Sequence, residues 1–409
     1  MPSTFTWVDT SERDRRRALD VIDLFGRQDT LDELGLGTVR DALSDLLTPG
    51  TSTIQTRARY HLFIPWIYLA LEKRRVSSAD IERRSRQAEI ELIEALAQSD
   101  NPDGTIGIVA RGALKRLPSA VYWAGLGTFG IRLFPGSQDQ YHRSLDRFYG
   151  LRDASRAARE DPEHAPDEHA NWHPHLPEPP ADFPEHASFT LTRAEAEYLQ
   201  DRILARAPGT LLAFLVDRGR PWTRTDFPWE HPQLGELPER LRLLVEHARC
   251  FSEAMHGAAL LYNLMLAERV PHEEWISEYR EALREWSDTV DSRASVLRAW
   301  DRTQFWSWVT REGRIPYPTQ FFAESWIERA LTGRSPLELL EDPGARSSIE
   351  YRERFMKRGR ARLQSREYLE LWSGAAGAAA LDYRWGITQT IANDILRGLS
   401  KESADARAA

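Results

Sequence analysis

The sequence predicts a mainly α-helical, multi-helix protein with two helical lobes, which are joined by a linker rich in proline, histidine and acidic residues. Three observations lead to this fold class. Apolar residues recur at intervals of three and four over most of the chain, no segment alternates regularly between apolar and polar residues, and prolines cluster near the middle. We therefore expect an N-terminal helical domain over 1–150, a linker or long loop over 151–190, and a tryptophan-rich helical domain over 191–409.

The N-terminal segment contains four stretches with the spacing of a helix face. The first covers 11–25, and the second covers 38–47 and ends at a Thr-Pro-Gly sequence. A third helix is expected to start near Thr51. Pro65 should kink or break it, because proline removes a backbone donor and clashes with the preceding turn. The fourth covers 78–96.

The order of elements at about 85–134 is that of a winged helix. Helices are expected at 85–98 and at about 106–116, followed by a third that begins at Pro118 and by a turn and short strand at 127–134. The third helix of this fold enters the DNA major groove. A plain packing unit of three helices with solvated arginines is the alternative. In a winged helix, four basic side chains would lie near phosphates: Arg111, Lys115, Arg116 and Arg132.

The glycines Gly125, Gly127 and Gly130 match the G-x-G-x-x-G pattern of dinucleotide-binding proteins. That pattern requires a helix immediately after it, because the helix N-terminus binds the pyrophosphate. Pro135 follows closely and would prevent such a helix from continuing. The pattern therefore indicates a glycine-rich turn, and no cofactor is predicted.

The segment 151–190 differs in composition from its surroundings. It carries three basic and nine acidic residues, and seven prolines and five histidines fall within 161–186. Prolines at this density prevent a helix and favour extended, solvated backbone. Four of the histidines resemble a metal cluster: His164, His169, His173 and His175. A flexible linker provides no rigid frame to orient metal ligands, so no metal site is predicted.

Beyond the linker, Thr192 and Glu195 form a capping-box pattern at the start of a helix. The strongest periodic signal covers 241–265 and predicts a long, largely buried helix. Small residues around Gly257 would let a neighbouring element come close to it. Further helices are expected at 273–290, 292–310, 320–332, 350–371 and 381–399.

The composition excludes several classes of function. The chain has 54 Lys and Arg residues, of which four are lysines, and its net charge is -8. No lysine follows a glycine, so the phosphate-binding loop of P-loop NTPases is absent. Cys250 is the only cysteine, which excludes an intramolecular disulfide and agrees with a reducing compartment. Since no apolar run approaches the ~20 residues of a membrane span and the N-terminus lacks a secretory signal, we expect a cytoplasmic protein without membrane contact.

Two further groups of basic residues are candidates for binding nucleic acid. Arg57 and Arg59 lie on the third predicted helix, and eight basic residues and two acids lie between Arg346 and Arg366. Arginine binds phosphate bidentately and stacks on bases. A solvated helix face, or arginines paired with acids of a neighbouring helix, is the alternative. The densest part of this basic segment contains Lys357, Arg358, Arg360 and Arg362.

No catalytic motif in the chain is specific. Glu253 and His256 have the spacing of a di-iron ligand pair, but no second copy occurs on another helix, which favours a buried polar pair. A metal-dependent nuclease or other effector enzyme that uses scattered carboxylates with His61, His142 or His256 stays open as an alternative function.

Several segments resemble an uncharacterised bacterial protein family of unknown function that is common in actinobacteria. They are Thr51–Tyr60, Phe63–Tyr68, Leu117–Trp123, Gly130–Arg132 and Gln138–Asp146, and the similarity extends through the helix capped by Thr192. Members of that family occur in anti-phage defence gene clusters beside helicases and phospholipase-D-like proteins. The resemblance implies a role in defence against foreign DNA, and it supplies no catalytic residues.

Residue patterns and resemblance together predict a non-catalytic component of a bacterial anti-phage defence system. We expect it to bind DNA, partner defence proteins of the helicase or nuclease type, or both. A structural adaptor that binds no DNA is the remaining alternative.

Overall fold

The structure, a computed structural model, describes residues 32–157, 170–270, 272–332 and 335–400. Within these ranges it contains fifteen helices and no β-strand, so the predicted mainly α class is confirmed. Arg132 and Trp172 form an isolated β-bridge. None of the described helices is both long enough and apolar enough to cross a membrane. The helix predicted over 11–25 lies outside the described residues.

The chain divides into two compact units, each assembled from separate segments. The first unit comprises Met1–Ala42 and His247–Leu381, and the second comprises Leu43–Glu246 and Asp382–Ala409. This division differs from the expected one, which put a domain on each side of the proline-rich segment. Segments distant in the sequence pack together within each unit, and composition along the chain does not report such packing.

The second unit surrounds one largely buried helix, α2 (Tyr60–Lys73). Its helices are α1 (Gly37–Leu47), which it shares with the first unit, α2 (Tyr60–Lys73), α3 (Ile81–Ala97), α4 (Pro118–Thr128), α5 (Gln138–Ala157), α6 (Arg193–Arg206), α7 (Leu211–Arg218), the start of α8 (Glu239–Arg269), and α15 (Trp385–Leu399). Residues 60–68 of α2 are all buried. The sequence predicted a kink or a break at Pro65; Pro65 lies inside α2 and does not break it. Packing on every side of the helix outweighs the loss of one backbone hydrogen bond.

The capping box that begins α6 is confirmed. The Thr192 hydroxyl accepts the backbone N–H of Glu195 at 3.3 Å, and the Glu195 carboxylate accepts the backbone N–H of Thr192 at 2.9 Å. These two bonds satisfy amides that would otherwise lack partners at the helix start.

The winged-helix expectation for 85–134 differs from the structure. Helices α3 and α4 form near their expected positions, but 106–116 consists of turns with one short 3-10 helix at Arg111–Ala113. Gly104 and Gly107 adopt φ values of +90° and +79°, in the left-handed region that interrupts a helix. The segment after α4 forms one isolated bridge and no two-stranded wing within the described residues.

Of the segment 151–190, residues 151–157 continue helix α5 (Gln138–Ala157), which the predicted linker did not include. Residues 170–190 form a long loop, the second of the two predicted alternatives, and this loop packs against α2. Trp172 is 2% exposed. The indole of Trp66 donates a hydrogen bond to the carbonyl of Pro177 at 2.6 Å, and Phe183 stacks on another ring of α2. The few apolar residues between the prolines therefore anchor this segment as a packed loop.

Glu89 of α3 is a buried carboxyl within the second unit. It is 0% exposed and accepts hydrogen bonds from the backbone N–H of Ser119 at 2.8 Å and from the hydroxyl of Ser119 at 2.7 Å. Desolvation raises the pKa of Glu89 from 4.5 to about 7, although these hydrogen bonds act to lower it. The carboxyl therefore changes its charge near neutral pH.

The variant Glu89→Gln is expected to remove part of the pH dependence of stability. Between about pH 4.5 and 7 the folded carboxyl holds a proton that the unfolded chain has released, so the free energy of unfolding of the wild type falls as pH rises, by about 3 kcal/mol. The variant lacks this contribution, so its stability relative to the wild type should increase from about pH 4.5 to about pH 8. Urea denaturation at both pH values measures the difference, and parallel pH curves would contradict it.

The first unit is built around the continuation of α8. Its other helices are α9 (Glu273–Ser292), α10 (Ala294–Ala299), α11 (Arg302–Glu312), α12 (Tyr317–Thr332), α13 (Pro343–Lys357) and α14 (Arg366–Leu369). The indole of Trp286 donates to the carbonyl of Glu253 on α8 at 2.7 Å. A Cβ atom at Gly257 would lie 2.3 Å from the Trp286 ring. The close approach expected at Gly257 is therefore made by an indole ring.

Two helices of the first unit are interrupted where the sequence predicted continuous ones. The helix expected at 292–310 breaks between α10 and α11, where the indole of Trp300 donates to Nδ1 of His247 at 2.7 Å. The helix expected at 350–371 ends with α13, because Arg358 adopts a φ of +53°. Apolar periodicity continues through both breaks, so periodicity alone does not locate them.

Candidate nucleic-acid interface

Arg57 and Arg59 lie in internal ion pairs of the second unit. Arg57 binds Asp394 bidentately, with two guanidinium nitrogens each 2.9 Å from a carboxylate oxygen. Arg59 is 5% exposed and donates to Glu195 at 2.6 Å and to the carbonyl of Ser188 at 2.8 Å. The expectation that both contact phosphate differs from this geometry, because acids from distant parts of the chain already hold the two guanidinium groups.

The basic residues around Arg111 do not lie on a recognition helix. Arg111 occupies a turn with a φ of +44°, and its Nε donates to the carbonyl of Ile108 at 2.8 Å. Lys115 and Arg116 are exposed in the loop before α4. Their charges are solvated, which matches the alternative interpretation of this region.

The side chain of Arg132 donates hydrogen bonds to backbone carbonyls of α4 and of the segment that follows it. Its guanidinium donates to the carbonyls of Trp123, Phe134 and Gly136, and desolvation lowers the pKa of Arg132. A Cβ atom at Gly127 would lie 2.3 Å from the same guanidinium. Gly125 and Gly127 lie inside α4 instead of in the predicted glycine-rich turn, and the missing Cβ of Gly127 leaves room for the Arg132 side chain.

Three basic residues of the C-terminal segment are held within the first unit by acids. Lys357 and Arg362 converge on Glu33, with nitrogen to oxygen distances of 3.2 Å and 2.6 Å. Arg346 binds Glu268 through two nitrogens at 2.7 Å and 3.1 Å. For these residues the geometry matches the alternative, in which arginines pair with acids of neighbouring elements.

Arg354, Arg358 and Arg360 are exposed at the C-terminal end of α13 and just after it. None of the three forms an ion pair with an acid of the described chain. Cations are favoured at this end of a helix, because its last carbonyls carry partial negative charge. These three guanidinium groups are therefore free to bind an external anion.

Two exposed aromatic rings accompany these arginines. Tyr351 is 61% exposed and Phe355 is 51% exposed. The two rings are four residues apart on α13 and so share one face of the helix, and the guanidinium carbon of Arg354 lies 5.5 Å from the ring centroid of Tyr351. Arg354 belongs to the basic segment but was not among its selected residues, and Tyr351 was missed, although their spacing of three residues was a usable signal. We refer to the set as the basic-aromatic surface: Tyr351, Arg354, Phe355, Arg358 and Arg360.

The acids of α13 do not neutralise this surface. Glu353 is 0% exposed and accepts hydrogen bonds from the Tyr262 hydroxyl at 2.7 Å and from the backbone N–H groups of Arg362 and Leu363 at 2.7 Å and 3.0 Å. Glu350 pairs with an arginine of α8 at 3.5 Å. The exposed charge beside the two rings is therefore positive.

The histidines of the nuclease alternative do not form a metal centre. His61 is 2% exposed, and burial lowers its pKa to about 4. Nε2 of His142 lies 3.1 Å from the Tyr68 hydroxyl, and Nε2 of His256 lies 3.0 Å from the carbonyl of Ala378. Among the described residues, no group of three or more His, Cys, Asp or Glu side chains could hold a metal ion.

Two further sets of residues resembled metal ligands in the sequence: the pair Glu253 and His256, and the histidines of 151–190. Among the described residues they form no metal-binding cluster. Glu253 pairs with Arg293 at 2.6 Å and with Arg249 at 2.7 Å. His256 contacts the carbonyl of Ala378, so the polar pair expected between Glu253 and His256 is not formed. The rings of His173 and His175 lie 5.5 Å apart. His164 and His169 lie outside the described residues.

The chain belongs to a family of unknown function, DUF6361, whose family model matches residues 2–397. The match spans nearly the whole chain and includes the basic-aromatic surface. No curated protein and no solved structure matches the chain. Since the family carries no assigned activity, the expected role in defence against foreign DNA stays a prediction.

Proposed function

We propose that this member of the DUF6361 family binds DNA in single-stranded form through the basic-aromatic surface. The observation that carries the proposal is the combination of unpaired, exposed arginines with exposed aromatic rings at the end of α13. Guanidinium groups bind phosphates, and exposed rings stack on bases that are not paired in a duplex. The combination is typical of surfaces that bind single strands without reading their sequence.

The net charge of -8 does not oppose this proposal. The segment 151–190 alone carries three basic and nine acidic residues, so much of the excess negative charge belongs to one stretch of chain. A nucleic acid responds to the local potential of the surface that it meets, and screening limits the reach of charges beyond about 10 Å. The three free arginines dominate the local charge of the basic-aromatic surface.

Removal of the three arginines tests the proposal. We expect R354Q/R358Q/R360Q to weaken binding of a fluorescein-labelled oligothymidine by more than about tenfold, because three phosphate contacts are lost. The slope of log affinity against log salt should also become shallower by about 2, since each contact to a single strand contributes about 0.7. Fluorescence anisotropy between about 50 and 200 mM salt measures both quantities.

A matched control removes the same charge from another surface. R83Q/R143Q/R193Q replaces three arginines that pair with acids three or four residues away in the sequence. This variant should bind the oligonucleotide like the wild type. If both triple variants lose affinity equally, general electrostatic attraction explains the binding and the proposed surface does not.

Replacement of the two aromatic rings provides a second test of the proposed DNA binding. Y351A/F355A should weaken binding by about 1–3 kcal/mol for each stacked base while leaving the salt slope unchanged, because stacking releases no counterions. Y351W/F355W should retain affinity, since tryptophan also stacks on bases. Unlabelled duplex DNA that competes as well as a single strand would contradict the preference for unpaired bases.

A further inference from the structure

A cationic cavity of about 500 Å³ opens in the second unit, between the ends of α4 and α6 and the segment that follows α4. No acidic side chain lines it. One wall is apolar and includes Ala124, Leu133, Phe134 and Pro135. The basic side chains of the lining are Arg132, Arg202 and Arg206, and His173 also lines the cavity.

Arg202 and Arg206 are the cations that this cavity offers to a ligand. They are four residues apart on α6, so one helical turn separates them and both can flank a single anion. Neither forms a hydrogen bond or ion pair within the described residues. Gly130, with a φ of +64°, lies against Arg206, because a Cβ atom there would be 3.2 Å from its Nε. A second glycine of the G-x-G-x-x-G pattern therefore makes room for a cavity arginine.

Two polar groups beside these arginines are buried without a partner. Nδ1 of His173 and the hydroxyl of Tyr198 form no hydrogen bond in the described chain, and their rings lie 5.6 Å apart. Buried polar groups are nearly always hydrogen-bonded in native proteins. The His173 side chain lines the cavity and the Tyr198 ring packs beside it, so two polar groups without internal partners lie at its edge.

The carbonyls at the end of α4, next to this cavity, have hydrogen-bond donors within the protein. The carbonyl of Leu126 accepts the N–H groups of Ile131 and Arg132 at 3.0 Å and 2.9 Å. The guanidinium of Arg132 donates to the carbonyl of Trp123 at 3.2 Å. These donors satisfy the carbonyls, and the guanidinium of Arg132 offsets part of the negative charge of the helix end.

We propose that this cavity binds a phosphomonoester of nucleotide size, with the phosphate between Arg202 and Arg206 and the organic body against the apolar wall. The volume falls within the range of about 300–1,000 Å³ that small-molecule sites occupy. Inorganic phosphate would fill the cationic end alone. The phosphomonoester is either a free nucleotide or the 5′-terminal nucleotide of a strand. This inference uses residues of the second unit and does not depend on the basic-aromatic surface.

Isothermal titration calorimetry of the full chain with adenosine monophosphate and inorganic phosphate tests the proposal. We expect the nucleotide to bind at least about tenfold more tightly, because only the nucleotide also buries apolar area. R202Q/R206Q should weaken its binding by about a hundredfold, since two charge-assisted contacts are lost. Because neither arginine has an internal partner, the melting temperature of this variant should equal that of the wild type.

Two further variants separate the effect of the cavity arginines' charge from the effect of the cavity's shape on ligand binding. R193Q is the matched control, because Arg193 lies on the same helix and pairs with Glu197 at 2.8 Å; nucleotide binding should not change. A124L narrows the apolar side without altering charge, so it should weaken binding of the nucleotide and spare inorganic phosphate.

A pair of oligothymidines with a 5′-phosphate or a 5′-hydroxyl distinguishes the two sources. Tighter binding of the phosphorylated strand that disappears in R202Q/R206Q supports the proposal and identifies a strand end as the ligand. Tighter binding of the free nucleotide than of either strand supports it with a nucleotide as the ligand. Equal affinity for nucleotide and inorganic phosphate, undiminished nucleotide binding by R202Q/R206Q, or no binding of any probe would each overturn it.

Discussion

Replacement of Arg59 by alanine is expected to lower the free energy of unfolding by about 3–5 kcal/mol. The guanidinium of Arg59 is buried and donates to the Glu195 carboxylate at 2.6 Å and to the Ser188 carbonyl at 2.8 Å. Glu195 is 3% exposed. In the variant, the backbone N–H of Thr192 is the one hydrogen-bond donor that its carboxylate keeps among the described residues. A buried carboxylate that loses its counter-ion is strongly destabilising. Calorimetry of the full chain should show a decrease in melting temperature on the order of 10 °C.

An exposed ion pair on α6, the helix that carries Glu195, provides the control for this prediction. Arg193 and Glu197 form an ion pair in which their own side chains are 41% and 48% exposed. Arg193→Ala should therefore change the free energy of unfolding by less than about 1 kcal/mol. R59M/E195Q removes both buried charges and should recover part of the loss. A melting temperature of R59A within about 2 °C of the wild type would contradict the prediction and make Arg59 a candidate for DNA binding again.

The contrast between these arginines shows what the sequence could and could not predict. A helix depends on contacts between residues three and four apart, so apolar periodicity predicted most of the helices. The capping box of Thr192 and Glu195 could also be recognised, because it needs only two residues that are close in the sequence. The partner of Arg57 is Asp394, which is 337 residues away. No local pattern reports such a pairing, so the sequence could not separate structural arginines from free ones.

The candidate site was predicted in part for the same reason. The basic segment was visible as a cluster, and Arg358 and Arg360 are indeed exposed. Their neighbours Lys357 and Arg362 are held by Glu33, on a segment more than 300 residues earlier in the chain. The turn that divides exposed from paired residues depends on the positive φ of Arg358, which a non-glycine residue seldom adopts.

Replacement of Glu353 by alanine is expected to cost about 3–5 kcal/mol of stability. Its carboxylate accepts hydrogen bonds from the Tyr262 hydroxyl and from the N–H groups of Arg362 and Leu363, and it is fully buried. Alanine leaves all three donors without an acceptor, at about 1–3 kcal/mol for each unsatisfied group. Chemical denaturation measures the loss. Glu350→Ala, on the same helix but in a half-exposed pair at 3.5 Å, should cost less than about 1 kcal/mol.

Glu353 also links stability to the proposed DNA-binding surface. Its bonds to two backbone N–H groups tie the chain after Arg360 to α13, and so they hold the turn that presents Arg358 and Arg360. Tyr262→Phe removes one donor and leaves both backbone bonds, so it should cost about 1 kcal/mol and preserve DNA affinity. Glu353→Ala should speed amide hydrogen exchange over 358–365 and weaken oligonucleotide binding together. Faster exchange with unchanged binding would show that a fixed turn is not required for the arginines to reach the phosphates.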